Sequence, residues 1–246
     1  MPYEALAASY DRLTNDIPYE AILDFYRQLW AEYGVRPSSA VDLACGTGSM
    51  TVLLAREGIS VLGVDASEEM LTQAADKAGS LTENPPYFVR QRMEKLRLPA
   101  PVDLAVCCLD GVNYVTDPAA LREAFARVFK ALNPGGLFLF DINSEAKLRG
   151  LDGQIFLDED EDVFCLWRAD FDERARLCAY GMDVFQKEGR LWRRSREEHL
   201  EYAYRVDELT QWLTDAGFTN VRAYADRKLE APAPDEQRIF IAAQRP

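Results

Sequence analysis

The sequence predicts an α/β fold, with helices on both faces of a mostly parallel sheet that is interrupted late in the chain by an antiparallel meander. Three observations carry this. Between Val41 and Phe140, short β-branched or apolar runs alternate with amphipathic helical stretches, the signature of repeated strand–helix units. After Ile142 the rhythm changes to closely spaced alternating segments divided by short polar turns. The chain has 246 residues, 48% of them apolar, which is enough to bury one sizeable core and excludes a disordered chain.

Taken in order, a helix is expected near 19–33, lying across the carboxyl edge of the first strand. Strands follow at 40–44, 61–64, 87–89, 102–108 and 137–141. Leu121, Phe125, Val128, Phe129 and Leu132 fall on one helical stripe, opened by Asp117-Pro118 and closed by Asn133-Pro134-Gly135-Gly136. Residues 152–162 read as an acidic loop. Strands at 163–171, 177–185 and 191–204 make the meander, joined by polar turns at 172–175 and 187–190. A helix carrying Val206, Leu209, Leu213 and Ala216 stops at Gly217, and strands at 220–224 and 238–242 bring the main sheet to seven. The whole, 1–246, reads as one domain with an N-terminal helical cap at 1–36 and the meander inserted at 151–204 as a lid.

Composition narrows the function. Twenty-eight Lys and Arg against 41 Asp and Glu give a formal charge of -13, which repels a phosphate backbone and disfavours nucleic acid as partner. No apolar run reaches the roughly 18–20 residues that span a bilayer, and the opening MPYEALAASYDRL lacks a basic start and apolar core, so the expectation is a cytoplasmic protein with no membrane partner. Five cysteines without a C-x-x-C pair read as reduced thiols. One histidine, His199, removes every site built on two or three imidazoles, and no metal is expected.

The most informative segment is Val41-Asp42-Leu43-Ala44-Cys45-Gly46-Thr47-Gly48-Ser49-Met50, an apolar strand running into a glycine turn and a helix. Gly46 and Gly48 allow a tight turn that admits a ligand close to the main chain, and Asp42 is placed to brace the loop or a ligand amine. Val61-Leu62-Gly63-Val64-Asp65 then puts a carboxylate at the end of the next strand, where it can accept from both hydroxyls of a ribose. A dinucleotide loop would carry a third glycine where Thr51 stands. That favours S-adenosylmethionine over NAD.

With Asp103-Leu104-Ala105-Val106-Cys107-Cys108-Leu109-Asp110 and Leu132-Asn133-Pro134-Gly135-Gly136-Leu137, these segments form four ordered motifs over about 100 residues. In them the sequence resembles the class I S-adenosylmethionine-dependent methyltransferases. The 3–11 segment with Tyr10-Asp11, and Asp110-Gly111-Val112-Asn113-Tyr114, resemble the small-molecule type with a β-meander lid. The resemblance implies a Rossmann-like seven-stranded sheet. It also implies that Tyr10 covers the methionine end of the cofactor, that Ala44 and Gly46 line it and that Asp65 holds the ribose. Ala66 and Met70 would flank the adenine, Met93 would offer its backbone, and Leu109 would lie under the sulfonium. The family usually has glycine where Ala44 stands, and an acidic residue for the adenine amino group where Arg92 stands; Glu94 or a backbone carbonyl would then take that hydrogen bond.

The expected reaction is in-line transfer of a methyl group to an N or O nucleophile of a small molecule, with the protein aligning the partners and excluding water. Asp110 and His199 are the candidate bases where the acceptor must lose a proton. Expected partners are the small-molecule acceptor and a second copy of the chain as a homodimer. A cofactor-binding protein without chemistry and an NAD-linked oxidoreductase are the alternatives.

Overall fold

In the computed structural model of the chain, which describes residues 10–12, 14 and 16–246, residues 10–12 are helical and helix α1 spans Tyr19–Glu32. Strand–helix units follow as β1 (Ser39–Leu43), α2 (Ser49–Arg56), β2 (Ser60–Asp65), α3 (Glu68–Ala78), β3 (Tyr87–Arg90), β4 (Val102–Cys107), α4 (Pro118–Ala131) and β5 (Leu132–Asn143). After the short α5 (Glu145–Gly150) come β6 (Ile155–Asp160), β7 (Val163–Asp172), β8 (Leu177–Glu188) and β9 (Leu191–Tyr202). Helix α6 (Val206–Asp215), β10 (Thr219–Tyr224) and β11 (Arg238–Gln244) close the chain. Of the expected N-terminal cap, residues 1–9, 13 and 15 lie outside the described residues.

The main sheet has the order β10-β11-β5-β4-β1-β2-β3. Strands β1 to β5 are mutually parallel, and β11 runs antiparallel to β5. Strict alternation along the central strands feeds two cores. Val41, Ala105, Cys107, Phe138, Phe140 and Ile241 pack under α4 and α6, while Ala40, Leu104, Val106, Leu139 and Phe240 pack under α1 and α2. Helix α4 is started by Asp117, whose carboxylate accepts from Ala119 N, with Pro118 in the first turn.

Four expectations change. Helix α1 does not cross a strand end but lies on a sheet face, where Phe25 meets Phe240 edge-on at 5.2 Å. The strand expected at 137–141 begins at Leu132, so that Asn133-Pro134-Gly135-Gly136, which closes the helix, already belongs to it. The chain passes straight from α4 into β5, absorbing the four residues as a register shift against β4, and a side chain on Gly136 would meet Asn133 O at 2.8 Å. The acidic stretch 152–162 contains strand β6, so the second sheet has four strands, β6-β7-β8-β9. Its pairing partner β7 supplies the backbone hydrogen bonds, which composition does not report. The third meander strand ends at Tyr202 and not at 204.

Asn113, fully buried, pins the second sheet to the first. Its amide nitrogen donates to Asn143 O and Tyr202 O at 3.0 Å each, its oxygen accepts from Asn143 N at 3.1 Å, and Tyr202 N donates to Asn113 O at 2.8 Å. Asn113→Ala strands one backbone N–H and two carbonyls at the junction. A loss of about 2–4 kcal/mol is expected, seen as a lowered urea midpoint with unchanged m.

Candidate functional site

The parallel strands deliver their carboxyl ends to one edge, and the candidate residues collect there. After β1 the chain enters the left-handed region at Ala44 (φ 50°), Gly46 (φ 54°) and Gly48 (φ 75°). Ala44 thus holds the conformation that a glycine would adopt freely. The two glycines of the turn have different jobs. A Cβ on Gly46 would meet nothing within 4 Å, so the backbone there faces open space, whereas one on Gly48 would lie 2.9 Å from Ala74 Cβ and 3.3 Å from the Phe88 ring. Gly48 therefore serves the packing of α2 against its neighbours, and Gly46 faces the volume that a ligand can use.

Asp42 is buried under this turn, and Oδ2 accepts from Thr51 Oγ1 at 2.5 Å. Thr51, at the position of the absent third glycine, thus ties α2 to β1. Burial, with the charge of Asp65 adding to it against the Thr51 hydrogen bond, pushes the Asp42 carboxyl up to about 7. Asp65, at the end of β2, accepts from Gly46 N at 2.9 Å on Oδ2 and from Ser67 N at 2.8 Å on Oδ1. Burial raises its pKa, with the backbone donors opposing. Each oxygen keeps a further lone pair, so the carboxylate braces the turn and can still accept from a ligand.

Beyond β2, Ala66 is half-buried, and Met70 is buried with its N–H on Ser67 Oγ, the cap of α3. Met93 is buried at the start of a 3-10 turn, Met93–Lys95. Arg92 projects outward while neighbouring Glu94 is the more buried of the pair, with Nη1 and Oε1 3.8 Å apart.

Strand β4 ends on two consecutive left-handed residues, Leu109 (φ 59°) and Asp110 (φ 55°). Their N–H groups donate to the fully buried carboxylate of Asp141 at 2.8 and 3.2 Å. Arg238, at the start of β11, donates to Asp141 Oδ2, to Asp110 Oδ1 at 2.9 Å and to Asn143 Oδ1 at 3.2 Å. Burial works against the guanidinium, but the charges of Asp141 and Asp110 outweigh it and hold it protonated. Asn143 continues the network, donating to Glu201 Oε2 and accepting from Lys147 Nζ, at 2.8 and 2.7 Å. Burial and the nearby Asp110 charge push the Glu201 carboxyl up to about 8, and burial lowers Lys147.

The second sheet closes this edge, and on β9 it is the polar parity that faces inward. Glu197, His199 and Glu201 face the body of the protein, while Trp192 and Leu200, on the other parity of β9, remain 48% and 38% exposed. His199 is buried, with Nε2 2.8 Å from Glu197 Oε2. Three consecutive residues of the N-terminal segment tie the layers together. Tyr10 packs on Val163, Cys165, Met182 and Val184 of the second sheet, and burial, with Asp110 next, raises its hydroxyl. Asp11 accepts from Thr47 Oγ1 at 2.6 Å and pairs with Lys77 at 2.7 Å, and Arg12 lies 3.7 Å from Asp160.

Every candidate taken from the sequence thus stands at or beside this edge, from Tyr10 through Asp42, Ala44, Gly46, Asp65 and Leu109 to Asp110 and His199. Asp141, Arg238, Asn143, Lys147 and Glu201 were missed. The available signal was the break from Leu137-Phe138-Leu139-Phe140 to Asp141 and Asn143, polar residues continuing a strand whose preceding residues are all apolar. Among the described residues no group of histidine, cysteine and acidic side chains is arranged for a metal, and all five cysteines are unpaired.

Known proteins share this architecture. A family model described as a methyltransferase domain matches residues 40–136. A protein of Geobacillus sp. (strain WCH70) that carries a methyltransferase assignment is 33% identical over 249 residues, covering all of both chains. The crystal structure of an S-adenosylmethionine-dependent methyltransferase from Clostridium acetobutylicum ATCC 824 superposes with a TM-score of 0.88 at 30% identity, over 98% of each chain. A sugar N-methyltransferase from Streptoalloteichus sp ATCC 53650 shares the fold, with a TM-score of 0.78 at 22% identity over 96% of this chain and 92% of its own. The glycine turn, the acid ending the second strand and the full-length likeness agree, and the chain belongs to the class I S-adenosylmethionine-dependent methyltransferases.

Proposed function

We propose that the chain methylates an N or O nucleophile of a small molecule held between the inward face of the second sheet and the carboxyl ends of β4 and β5. The observation that carries this is the 2.9 Å hydrogen bond from Gly46 N to Asp65, which makes the open-faced turn and the strand-end acid one rigid unit. S-adenosylmethionine fits that unit, since the Gly46 backbone faces unfilled space and Asp65 retains lone pairs for ribose hydroxyls. In this reading Ala44 and Gly46 line the cofactor, Gly48 and Asp42 hold the turn in shape, Ala66 and Met70 flank the adenine, and Met93 offers its backbone. Glu94 or a backbone carbonyl accepts from the adenine amino group, Leu109 lies beneath the sulfonium, and Tyr10 covers the methionine end. The cofactor supplies an already activated methyl group.

The chain's own work is to orient the acceptor and exclude water, with residues 151–204 as lid and 1–36 as cap of a single 1–246 unit. Asp110 is engaged by Arg238, which suits it to positioning, and His199 is the candidate base. The buried indole N–H of Trp167, which has no hydrogen-bond partner among the described residues and packs on the same apolar cluster as Tyr10, is a donor that an acceptor can satisfy. Sugar N-methyltransferase activity in a protein of the same fold supports a small acceptor. Five unpaired cysteines, and no described helix long and apolar enough to cross a membrane, support a cytoplasmic location. For a homodimer, Ile155, Leu157, Leu191 and Trp192 are exposed apolar side chains on the two edge strands of the second sheet.

Asp65→Ala is expected to weaken S-adenosylhomocysteine binding by about 1–3 kcal/mol in calorimetry, and unchanged affinity would move the cofactor elsewhere. Gly46→Asn, a residue that tolerates the left-handed backbone here, places a side chain in the open space and should weaken binding about tenfold or more while circular dichroism shows an intact fold. A third expectation concerns pH. Asp42 and Glu201 have folded pKa values raised to about 7 and about 8, so the folded chain keeps protons that the unfolded chain releases near pH 4. Their stabilisation is complete below that pH and is lost as pH rises through 7 and 8. Urea unfolding should show stability falling between pH 5 and 9, and Asp42→Asn with Glu201→Gln should flatten that fall.

A further inference from the structure

One line of side chains crosses from the second sheet to the carboxyl edge of the first. On β9, Glu197 and His199 stand two residues apart on the same face, and His199 Nε2 lies 2.8 Å from Glu197 Oε2. On the other flank His199 Nδ1 lies 3.5 Å from the hydroxyl of Tyr114, four residues beyond Asp110. The Tyr114 and His199 rings meet edge-on, with centroids 5.9 Å apart and planes at 71°. Burial gives the line a direction. The side chains of Glu197 and His199 are 6% and 1% exposed, whereas Tyr114 is half-buried and so the least covered of the three.

The chemistry of the three groups fixes their order. With Glu197 ionised its carboxylate only accepts, and the imidazole proton then belongs on Nε2, facing Glu197. That leaves the Nδ1 lone pair facing a hydroxyl. A base oriented by a buried acid and aimed at an O–H is the arrangement that activates hydroxyls in other enzymes.

We propose, resting on the acceptor placement given above, that Tyr114 is the group that takes the acceptor's proton, that His199 receives the proton of Tyr114, and that Glu197 is a positioning residue holding His199 in the Nε2–H form. The acceptor class that needs this device is one that carries a proton on the attacking atom at neutral pH, a hydroxyl or an ammonium. The proton leaves the acceptor for Tyr114 Oη as the phenolic proton passes to Nδ1. The electron pair freed on the acceptor forms the bond to the transferred methyl carbon, whose bond to sulfur breaks with its electrons staying on sulfur. The imidazolium so formed is balanced by Glu197 and returns its proton to solvent after product leaves. Among the described residues, Glu197 and Glu201 on the same strand, Tyr180 opposite on β8, and Tyr114 are the titratable groups facing His199, with Asp110, Arg238 and Lys147 beyond Glu201.

His199 is the only histidine, so nitrogen NMR of the labelled chain saturated with S-adenosylhomocysteine reports one imidazole. The expected result is an Nε2–H tautomer whose Nδ1 resonance moves in Tyr114→Phe and whose Nδ1–H population rises in Glu197→Gln. Methyl transfer is measured on a panel of primary amines, phenols and alcohols. On the best acceptor, Tyr114→Phe and His199→Asn should lower kcat about 100-fold or more, with the S-adenosylmethionine KM and S-adenosylhomocysteine affinity unchanged. Glu197→Gln should cost less, and Glu197→Asp should recover part of it. An Nδ1–H tautomer in the parent chain, or full turnover in Tyr114→Phe, overturns the relay while leaving the cofactor site standing. Transfer to no member of the panel by the parent chain refutes the acceptor placement and the relay with it.

Discussion

The carboxyl edge of the main sheet depends on one buried ion pair, Asp141 with Arg238. Two consecutive non-glycine residues in the left-handed region, Leu109 and Asp110, would each carry a strain of about 1–2 kcal/mol without compensation. Asp141 offsets this by accepting both of their N–H groups at full burial. A lone carboxylate could not stay ionised at full burial. Burial raises the Asp141 carboxyl and the Arg238 charge opposes that rise, and with its remaining donors Arg238 fixes Asp110 and Asn143. The shape of the loop after β4 therefore follows from a side chain on β5 and another on β11.

From that pair the polar order spreads outward. Asn143 hands it to Lys147 and Glu201, and Asn113 hands it to the end of β9 through backbone hydrogen bonds on both sides. The second sheet is thus attached at its base by polar contacts, while Tyr10 grips its apolar inner face from the N-terminal segment.

Part of the site was legible because its chemistry is local. Gly46, Gly48 and Asp65 belong to one strand–turn–helix–strand unit, where sequence distance and spatial distance agree. Thr51 was read only as a missing glycine. Its use, a hydroxyl on buried Asp42, depends on the inward face of α2 meeting β1. Arg238 was invisible because β11 runs antiparallel, which brings the start of that strand to the same edge as the ends of the others. The strand β6 was hidden for a related reason. Its six residues are all exposed, three of them acidic, and only β7 gives that backbone a partner.

The sequence by itself determined what periodicity and local geometry can encode: the alternation of strands and helices, the two-sided burial of the central strands, the glycine turn and the acid that follows it. These follow from backbone preferences and from burial on a regular lattice of side chains. Tertiary structure alone decided which side of the meander faces inward. Alternation along β9 separates Glu197, His199 and Glu201 from Trp192 and Leu200, and it says nothing about which set meets water. The answer came from partners more than fifty residues away: Asn143 for Glu201, Tyr114 for His199 and Asn113 for the strand end. A buried polar face is stable only where such partners meet it, and their meeting is a property of the folded chain.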